Sequence, residues 1–573
     1  MKIRKVEIRN YKCIERFSWC PSTGINCLIG FGDSGKSTVL DAIDFCLGAR
    51  RTVPFSDSDF FKLDVESPIS ITLTIGDLDD SLKNLDTYGL FLRSFDHVSG
   101  KVEDEPDSDL ETVLTVNLTV GSDLDPVWSL QSDRASEQSV LRGLAWKDRV
   151  RLAPARIGAL ASYNLGWRQG SVLNKLTEEK AHSAAALANA ARQARETFGA
   201  DADEQLKETL RVVAETAEEL GVDVGGKAHA LLDAHSISFG DGSVTLHSAE
   251  GIPLRGLGVG STRLLIAGLQ RKAADKSPIL LVDEVEYGLE PHRIIRFLGS
   301  LGAKDTAPPF QVFMTTHSPV VLRELSGRQL YVLRNVEGQH GAIPVGGEDD
   351  VQGTIRCYPD AFLASTVLVC EGASEAGLVR GLDLFAQSGH APSIFACGTA
   401  LVDAGGVSQV MTRALAFQKL GYRVGVFRDD DRQPPQDEEQ SFVESGGVVF
   451  KWRAGEKTES ELFKSLPALA VSQLLHKAVA LHGSELVDSH LRSVSNNALN
   501  VGMLQEPQRL VAITNEQRGL LARASTVKNS PWFKTLTIME EVGREIVGPH
   551  IEASDLEFKM ILHGLLEWAR NAR

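Results

Sequence analysis

Glu371 and the pair Asp429 and Asp431 are the residues of this chain whose types and spacing speak most directly of chemistry. Glu371 closes the apolar run Thr366-Val367-Leu368-Val369-Cys370, and Gly372 after it permits a sharp turn. Glu375, four residues on, would face the same side at the start of the next helix. A second apolar run, Val424-Gly425-Val426-Phe427, leads into Asp429, Asp430 and Asp431. In an extended segment the outer two aspartates point one way and Asp430 the other. Carboxylates crowded in this way repel one another unless a cation lies between them. Oxygen-only ligands suit Mg²⁺ or Mn²⁺, which drive in-line attack on phosphodiesters. A later acid in Glu456-Lys457-Thr458-Glu459-Ser460-Glu461, with Glu459 favoured, would complete a second metal site. Taken singly, an Asp-Asp-Asp run reads as a solvated turn; in order, at the ends of apolar strands, the set reads as a metal site.

A second constellation binds phosphate. Gly30-Phe31-Gly32-Asp33-Ser34-Gly35-Lys36-Ser37 follows the apolar strand Asn26-Cys27-Leu28-Ile29 and opens a helix from Thr38. Glycines at these positions let backbone N–H groups close around phosphates, and the helix N-terminus adds its positive dipole. Lys36 is expected to reach the β- and γ-phosphates of ATP, and Ser37 to ligate Mg²⁺. The aliphatic run Pro278-Ile279-Leu280-Leu281-Val282 ends in Asp283 and Glu284. Asp283 would hold Mg²⁺ through water and Glu284 would polarise the attacking water. Leu257-Gly258-Val259-Gly260-Ser261 precedes a helix upstream, and Phe313-Met314-Thr315-Thr316-His317 ends a strand downstream.

The elements that must position these residues alternate between strand and helix. Residues 1–50 read strand, turn, strand, Gly-rich loop, helix, and the period-two runs 68–75 and 112–120 read as strands. Segment 172–235 is an expected helical insert, rich in Ala, Glu, Leu and Arg and broken near Gly199. Leu206, Leu210, Val213 and Ala217 fall near one face of it, either packed on the remainder of the chain or serving as a dimerisation arm. Strand–helix alternation returns over 236–345, which suggests a mostly parallel sheet. The polar stretch 337–352 reads as a linker. A second α/β unit with a helical C-terminal region fills 360–573. The expectation is therefore an α/β protein: an ATPase split as 1–171 and 236–345 around its insert, followed by a separate α/β domain.

Composition sets the outer limits. With 573 residues, two to four domains are expected. Seven scattered cysteines without paired zinc spacing read as reduced thiols, and hence as a cytoplasmic protein. The N-terminus lacks an apolar core of signal-peptide length, and no run of about 18 apolar residues suggests a membrane span. The net charge of −16 argues mildly against a nucleic-acid coat protein, although one basic groove can coexist with an acidic surface.

The ordered set from Gly30 to His317 resembles the ATP-binding-cassette ATPases of the SMC and RecF kind. That resemblance implies that Gly258, Gly260 and Ser261 form a signature loop read by the γ-phosphate of a partner subunit, and that His317 is a switch. The loop reads Leu-Gly-Val-Gly-Ser here rather than Leu-Ser-Gly-Gly-Gln. A signature acting in trans implies a homodimer or a higher homo-oligomer. The segment from 364 onward resembles a Toprim domain, the fold shared by topoisomerases, primases and some nucleases. Glu371, Asp429 and Asp431 match its carboxylates, and Asp403-Ala404-Gly405-Gly406 matches an intervening loop. An ABC ATPase followed by a Toprim domain resembles the OLD (overcoming lysogenisation defect) nucleases, a family that includes the nuclease subunit of the Gabija anti-phage system. The resemblance also implies a late basic residue for the transition-state phosphate, for which Lys528 and Lys534 are the candidates, beside Trp532 and Phe533.

The implied function is an ATP-regulated, Mg²⁺- or Mn²⁺-dependent DNA endonuclease in anti-phage defence, with a helicase-like partner protein and no membrane association. A RecF-like DNA-binding repair ATPase without cleavage is one alternative. A Toprim RNase or tRNA-cleaving toxic effector is another.

Overall fold

The computed structural model describes residues 1–50, 52–158, 164–165, 171–176, 183–219, 230, 246–276, 278–336, 338–505, 513–528 and 530–571. They fall into two compact units. The first comprises Met1–Lys12, Trp19–Asn26 and Ser37–Thr316; the second comprises Cys13–Ser18, Cys27–Lys36 and His317–Arg573.

In the first unit, Lys2–Tyr11, Ile69–Gly76, Glu111–Val120 and Leu92–Phe95 lie side by side in an antiparallel sheet. Register puts Ile8 opposite Ile71, and Ile71 opposite Leu118, so one face carries aliphatic side chains across three strands. All three are fully buried. A parallel group, Ala155–Ile157, Ile279–Val282 and Gln311–Thr315, has a different character. Every residue of Ile279–Val282 is buried, as befits a strand covered on both faces.

Among the described residues the insert holds three helices, Val172–Leu176, Ser183–Gln205 and Lys207–Glu219. The break falls at Leu206, not near Gly199 as expected. An interior glycine costs a helix about 1 kcal/mol relative to alanine and does not by itself end it. Leu206 and Val213 are 46% and 47% exposed. The side chain of Ala217 and all but residue 230 of the stretch 220–235 lie outside the described residues.

In the second unit, Leu330–Val336 runs parallel to Cys27–Ile29 and forms an antiparallel hairpin with Gln339–Pro344. Strand Gln339–Pro344 and helix Asp349–Cys357 occupy the stretch that reads as a linker. Its polar composition masks pairing imposed by the neighbouring strand, with His340 buried. A separate four-stranded sheet orders Thr399–Asp403, Thr366–Cys370, Arg423–Arg428 and Val448–Lys451 side by side, all parallel. Helix Ala373–Ser388 follows the second of these strands. Gly377 and Gly381 let it approach the backbone of helix Leu536–Val542, where any Cβ would strike the main chain. Helices Ala468–His482, Ser484–Ser495, Asn515–Ser525 and Leu556–Arg570 share one apolar core with this sheet. Among the described residues no helix is long and apolar enough to cross a membrane.

Candidate functional site

Two sites stand at the ends of parallel strands. The first begins where Ile25–Ile29 runs into the glycine-rich loop. Gly30 and Gly35 have φ of 141° and 92°, a left-handed backbone that a side chain disfavours. Asp33 takes φ 59°. Gly32 has open space around it. Lys36, buried at the first turn of helix Lys36–Leu47, points its ammonium back into the loop. It donates to the carbonyls of Gly30 (3.2 Å) and Phe31 (2.8 Å) and to Ser34 Oγ (3.2 Å). Thr38 is half-buried in the same turn.

Ser37 Oγ donates to Asp283 Oδ1 at 3.0 Å, and Thr315 Oγ1 donates to the same oxygen at 2.6 Å. Glu284 is exposed and left-handed (φ 47°), with its N–H donated to Thr315 Oγ1. Two arginines missed from the sequence hold this corner. Arg263, 1% exposed, donates to the carbonyls of Asp283, Glu284 and Tyr287. Arg156 pairs with Asp41 at 2.8 Å and lies 3.6 Å from Asp283. Neither carries a local motif, because each acts through backbone or carboxylates distant in sequence. Gly258 caps helix Val259–Lys272, Gly260 abuts the carbonyl of Gly288, and Ser261 Oγ accepts from Arg293. His317 is exposed after strand Gln311–Thr315.

The second site is acidic. Oxygen atoms of Glu371, Asp429 and Asp431 lie within 4.8 Å of one another. Glu371 follows strand Thr366–Cys370, and its Oε2 accepts from Asp429 N at 3.1 Å. The carbonyl of Glu371 accepts from Gly406 N, which brings the Asp403–Gly406 loop against the turn. Asp430 points elsewhere, to Arg428 at 3.2 Å and Lys451 at 3.5 Å. Lys457 lies 3.2 Å from Asp431.

Glu375, in the first turn of helix Ala373–Ser388, is 3% exposed. It meets Asp429 through Thr458, a residue the sequence reading passed over. Thr458 Oγ1 lies 2.6 Å from Glu375 Oε1 and 3.0 Å from Asp429 Oδ1, and Thr458 N donates to Asp429 at 2.9 Å. Trp452 Nε1 donates to the same hydroxyl at 2.7 Å, and the Trp452 ring stacks on Phe558. A hydroxyl has one proton, so it cannot donate to both carboxylates at once. Glu459, 1% exposed, accepts from Ser374 through Oε1 at 3.3 Å, while its Oε2 is buried without a hydrogen-bond partner. Both Lys528 and Lys534 are exposed, and Lys534 lies 3.6 Å from Glu459.

Electrostatics follow from this crowding. Burial, with the charge of Asp429 added, pushes the Glu371 carboxyl up to about 7. Burial raises Glu375 as well, again with Asp429 contributing, and it raises Asp429 with Glu459 contributing. Burial works to lower the Lys534 ammonium, but Glu459, Glu375, Asp429 and Glu371 outweigh it and hold the group above its ordinary value. Such a site penalises its own negative charge and is relieved by a cation. Oxygen donors alone, together with an unpartnered buried carboxylate oxygen, fit a hard divalent ion.

Comparison with known proteins gives one family match. Residues 25–323 fit the family model described as "AAA domain, putative AbiEii toxin, Type IV TA system". No curated protein matches the chain. Similar solved structures include the SMC head bound to the C-winged helix domain of ScpA, 14% identical with a TM-score of 0.34, covering 60% of this chain and 97% of that one. The SMC head domain from Thermotoga maritima is 14% identical with a TM-score of 0.29, covering 60% of this chain and 100% of its own. The Smc head domain with an extended coiled coil bound to the C-terminal domain of ScpA, derived from Pyrococcus furiosus, is 13% identical with a TM-score of 0.32, covering 60% and 96%.

Proposed function

We propose, from the premise that this chain belongs to the family of P-loop ATPases described as "AAA domain, putative AbiEii toxin, Type IV TA system", that it is an ATP-regulated, divalent-metal-dependent DNA endonuclease whose cutting site is of the Toprim type. The nucleotide-binding part follows from the family and its intact loop. The cutting site rests on one observation: Glu371, Asp429 and Asp431 converge within 4.8 Å at the ends of parallel strands.

Glu371, Glu375, Asp429 and Asp431 would hold Mg²⁺ or Mn²⁺, with Glu459 serving a second ion. When bound, such ions activate water and neutralise charge on a scissile phosphate. Thr458 and Trp452 fix the carboxylates, so little reorganisation remains for the reaction. Lys534, among four acids, offers a positive charge to the same phosphate. In the ATPase, Lys36 would grip the β- and γ-phosphates, Ser37 and Asp283 would hold Mg²⁺, and Glu284 would orient water. Gly258, Gly260 and Ser261 would complete the site across a homodimer, with His317 as the switch beside the γ-phosphate. An OLD-type, Gabija-like role in anti-phage defence, with a helicase-like partner, is the broader form of this reading.

The family description names a putative toxin and no substrate, and a second reading directs the same carboxylate site at RNA or tRNA. Incubation with supercoiled plasmid and with total tRNA, in Mg²⁺ or Mn²⁺ and with or without ATP, separates the two. Plasmid nicking that is lost in Glu371→Ala, with Lys36→Ala altering only the nucleotide response, is the expected result. No metal-dependent cutting of either substrate would leave an SMC- or RecF-like DNA-binding ATPase.

A further inference from the structure

Arg334 lies in strand Leu330–Val336 and is 6% exposed. A buried guanidinium is ordinarily matched by a carboxylate. Two aromatic rings lie near this one: Tyr422 with its centroid 3.9 Å from Cζ, and Phe31 at 5.4 Å. The Nε and Nη2 atoms of Arg334 are buried without a hydrogen-bond partner. Cation–π attraction to the two rings, together with the Tyr422 hydroxyl acting on the guanidinium, keeps this charge in place, and it depends on where the rings stand.

The two rings belong to different machinery. Phe31 lies in the phosphate-binding loop, is 39% exposed, and its carbonyl accepts from Lys36 at 2.8 Å. Tyr422 immediately precedes strand Arg423–Arg428, which leads into Asp429 and Asp431. Tyr422 is anchored: its hydroxyl donates to the carbonyl of Phe362 at 2.6 Å, and its ring packs edge-on against Phe417. Gly421, at φ +76°, leaves only 3.3 Å between a Cβ position and the Arg334 side chain, so the arginine is closely seated there. The backbone links the parts too. Leu330–Val332 pairs with Cys27–Ile29, and Cys27–Lys36 belongs to the same compact unit as the carboxylate sheet.

We propose that Arg334 is a positioning residue that couples nucleotide occupancy of the phosphate loop to the strand carrying Asp429 and Asp431. A triphosphate competes with the Phe31 carbonyl for the Lys36 ammonium. Once released, the Phe31 peptide and ring shift relative to Arg334, and the guanidinium, which also lies over the Tyr422 ring, transmits the change to the start of strand Arg423–Arg428. The direction of control over cutting rests on the nuclease reading above; the mechanical link does not.

The test uses the full chain. Hydrogen–deuterium exchange over residues 422–431 is measured with and without ATP and Mg²⁺, in the wild type and in Arg334→Met, and affinity for a fluorescent ATP analogue is measured in parallel. The wild type is expected to change exchange in this segment by roughly fivefold or more, the lower end of typical site–site coupling. Arg334→Met is expected to lose most of that response while holding nucleotide affinity within about threefold, below that coupling range. If Arg334→Met fails to fold, Arg334→Lys keeps the charge, gives up planar stacking, and must also weaken the response. A wild type whose segment ignores ATP, or a variant that responds fully, overturns the coupling. Absent cleavage with the exchange response intact would sink the nuclease reading and leave the coupling standing.

Discussion

The loop Gly30–Ser37 and the turn Glu371–Glu375 are built alike and charged oppositely. Each follows a buried strand, and each opens a helix. In the first, glycines clear space and a lysine folds back onto carbonyls, so the helix N-terminus gathers positive character for an anion. In the second, Glu375 occupies the first helical turn, and Asp429 closes on Glu371 from the neighbouring strand. One architecture thus serves opposite chemistries, and the side chains at the strand end decide which. In the proposed reading the loop would meet phosphate with its backbone, whereas the acidic turn would meet a cation with side chains that a buried threonine and tryptophan hold.

The sharpest break of this comparison is a pair of substitutions. Glu371→Gln is expected to lower metal-dependent cleavage by about 10²- to 10³-fold, the scale seen when a preorganised charge is removed from an active site. Nucleotide affinity should stay near wild type. Lys36→Ala should do the reverse, weakening ATP binding by about 10- to 100-fold, as expected for a lost charged hydrogen bond. Equal loss of both properties in either variant would mean that the two sites are not chemically separate.

A smaller effect should come from the threonine strut of the acidic site. Thr458→Val removes the hydroxyl shared by Glu375, Asp429 and Trp452. Mn²⁺ affinity, read by titration calorimetry, is expected to fall about tenfold, the low end for residues that orient metal ligands. The unpartnered Trp452 Nε1 should cost about 1–3 kcal/mol of stability in denaturant unfolding. Thr458→Ser should recover most of both. Unchanged Mn²⁺ affinity in Thr458→Val would show that the carboxylates position themselves.

The smallest effect is a pH trend. The folded Glu371 carboxyl titrates near 7 against an ordinary 4.5, so the native state binds more protons than the unfolded chain between those values. Stability of the metal-free protein therefore falls as pH rises through this window, and Glu375 and Asp429, also raised, act in the same direction. Mn²⁺ favours the ionised carboxylates, so its stabilising effect on Tm should grow as pH rises from about 5 to 8. A metal-free Tm that climbs across that range would contradict the crowding.

Much of both sites can be read locally. The Gly30–Ser37 spacing states its own purpose because backbone and side chains of one short segment do the work. Two-residue alternation separates Asp429 and Asp431 from Asp430, and the structure sets Asp430 against Arg428 and Lys451 instead. Thr458, Arg263 and Arg156 act on partners about twenty to more than a hundred residues away, where local pattern carries no information, and Trp452 enters the site only through Thr458. The strand Gln339–Pro344 was hidden for a related reason: a polar segment pairs when a neighbouring strand supplies its hydrogen bonds, and propensity is a weak guide there.

By itself, then, the sequence determined the strand ends, the phosphate loop and the identity of the acids, since these follow from hydrophobic period and residue type within short windows. Tertiary structure alone decided which lysine joins the acids, because Lys528 and Lys534 are equivalent in composition. Gly377 and Gly381 allow helix Ala373–Ser388 to lie against helix Leu536–Val542, and Lys534, just ahead of that helix, comes to rest 3.6 Å from Glu459. Close backbone approach, a property of packing and not of spacing, made that choice.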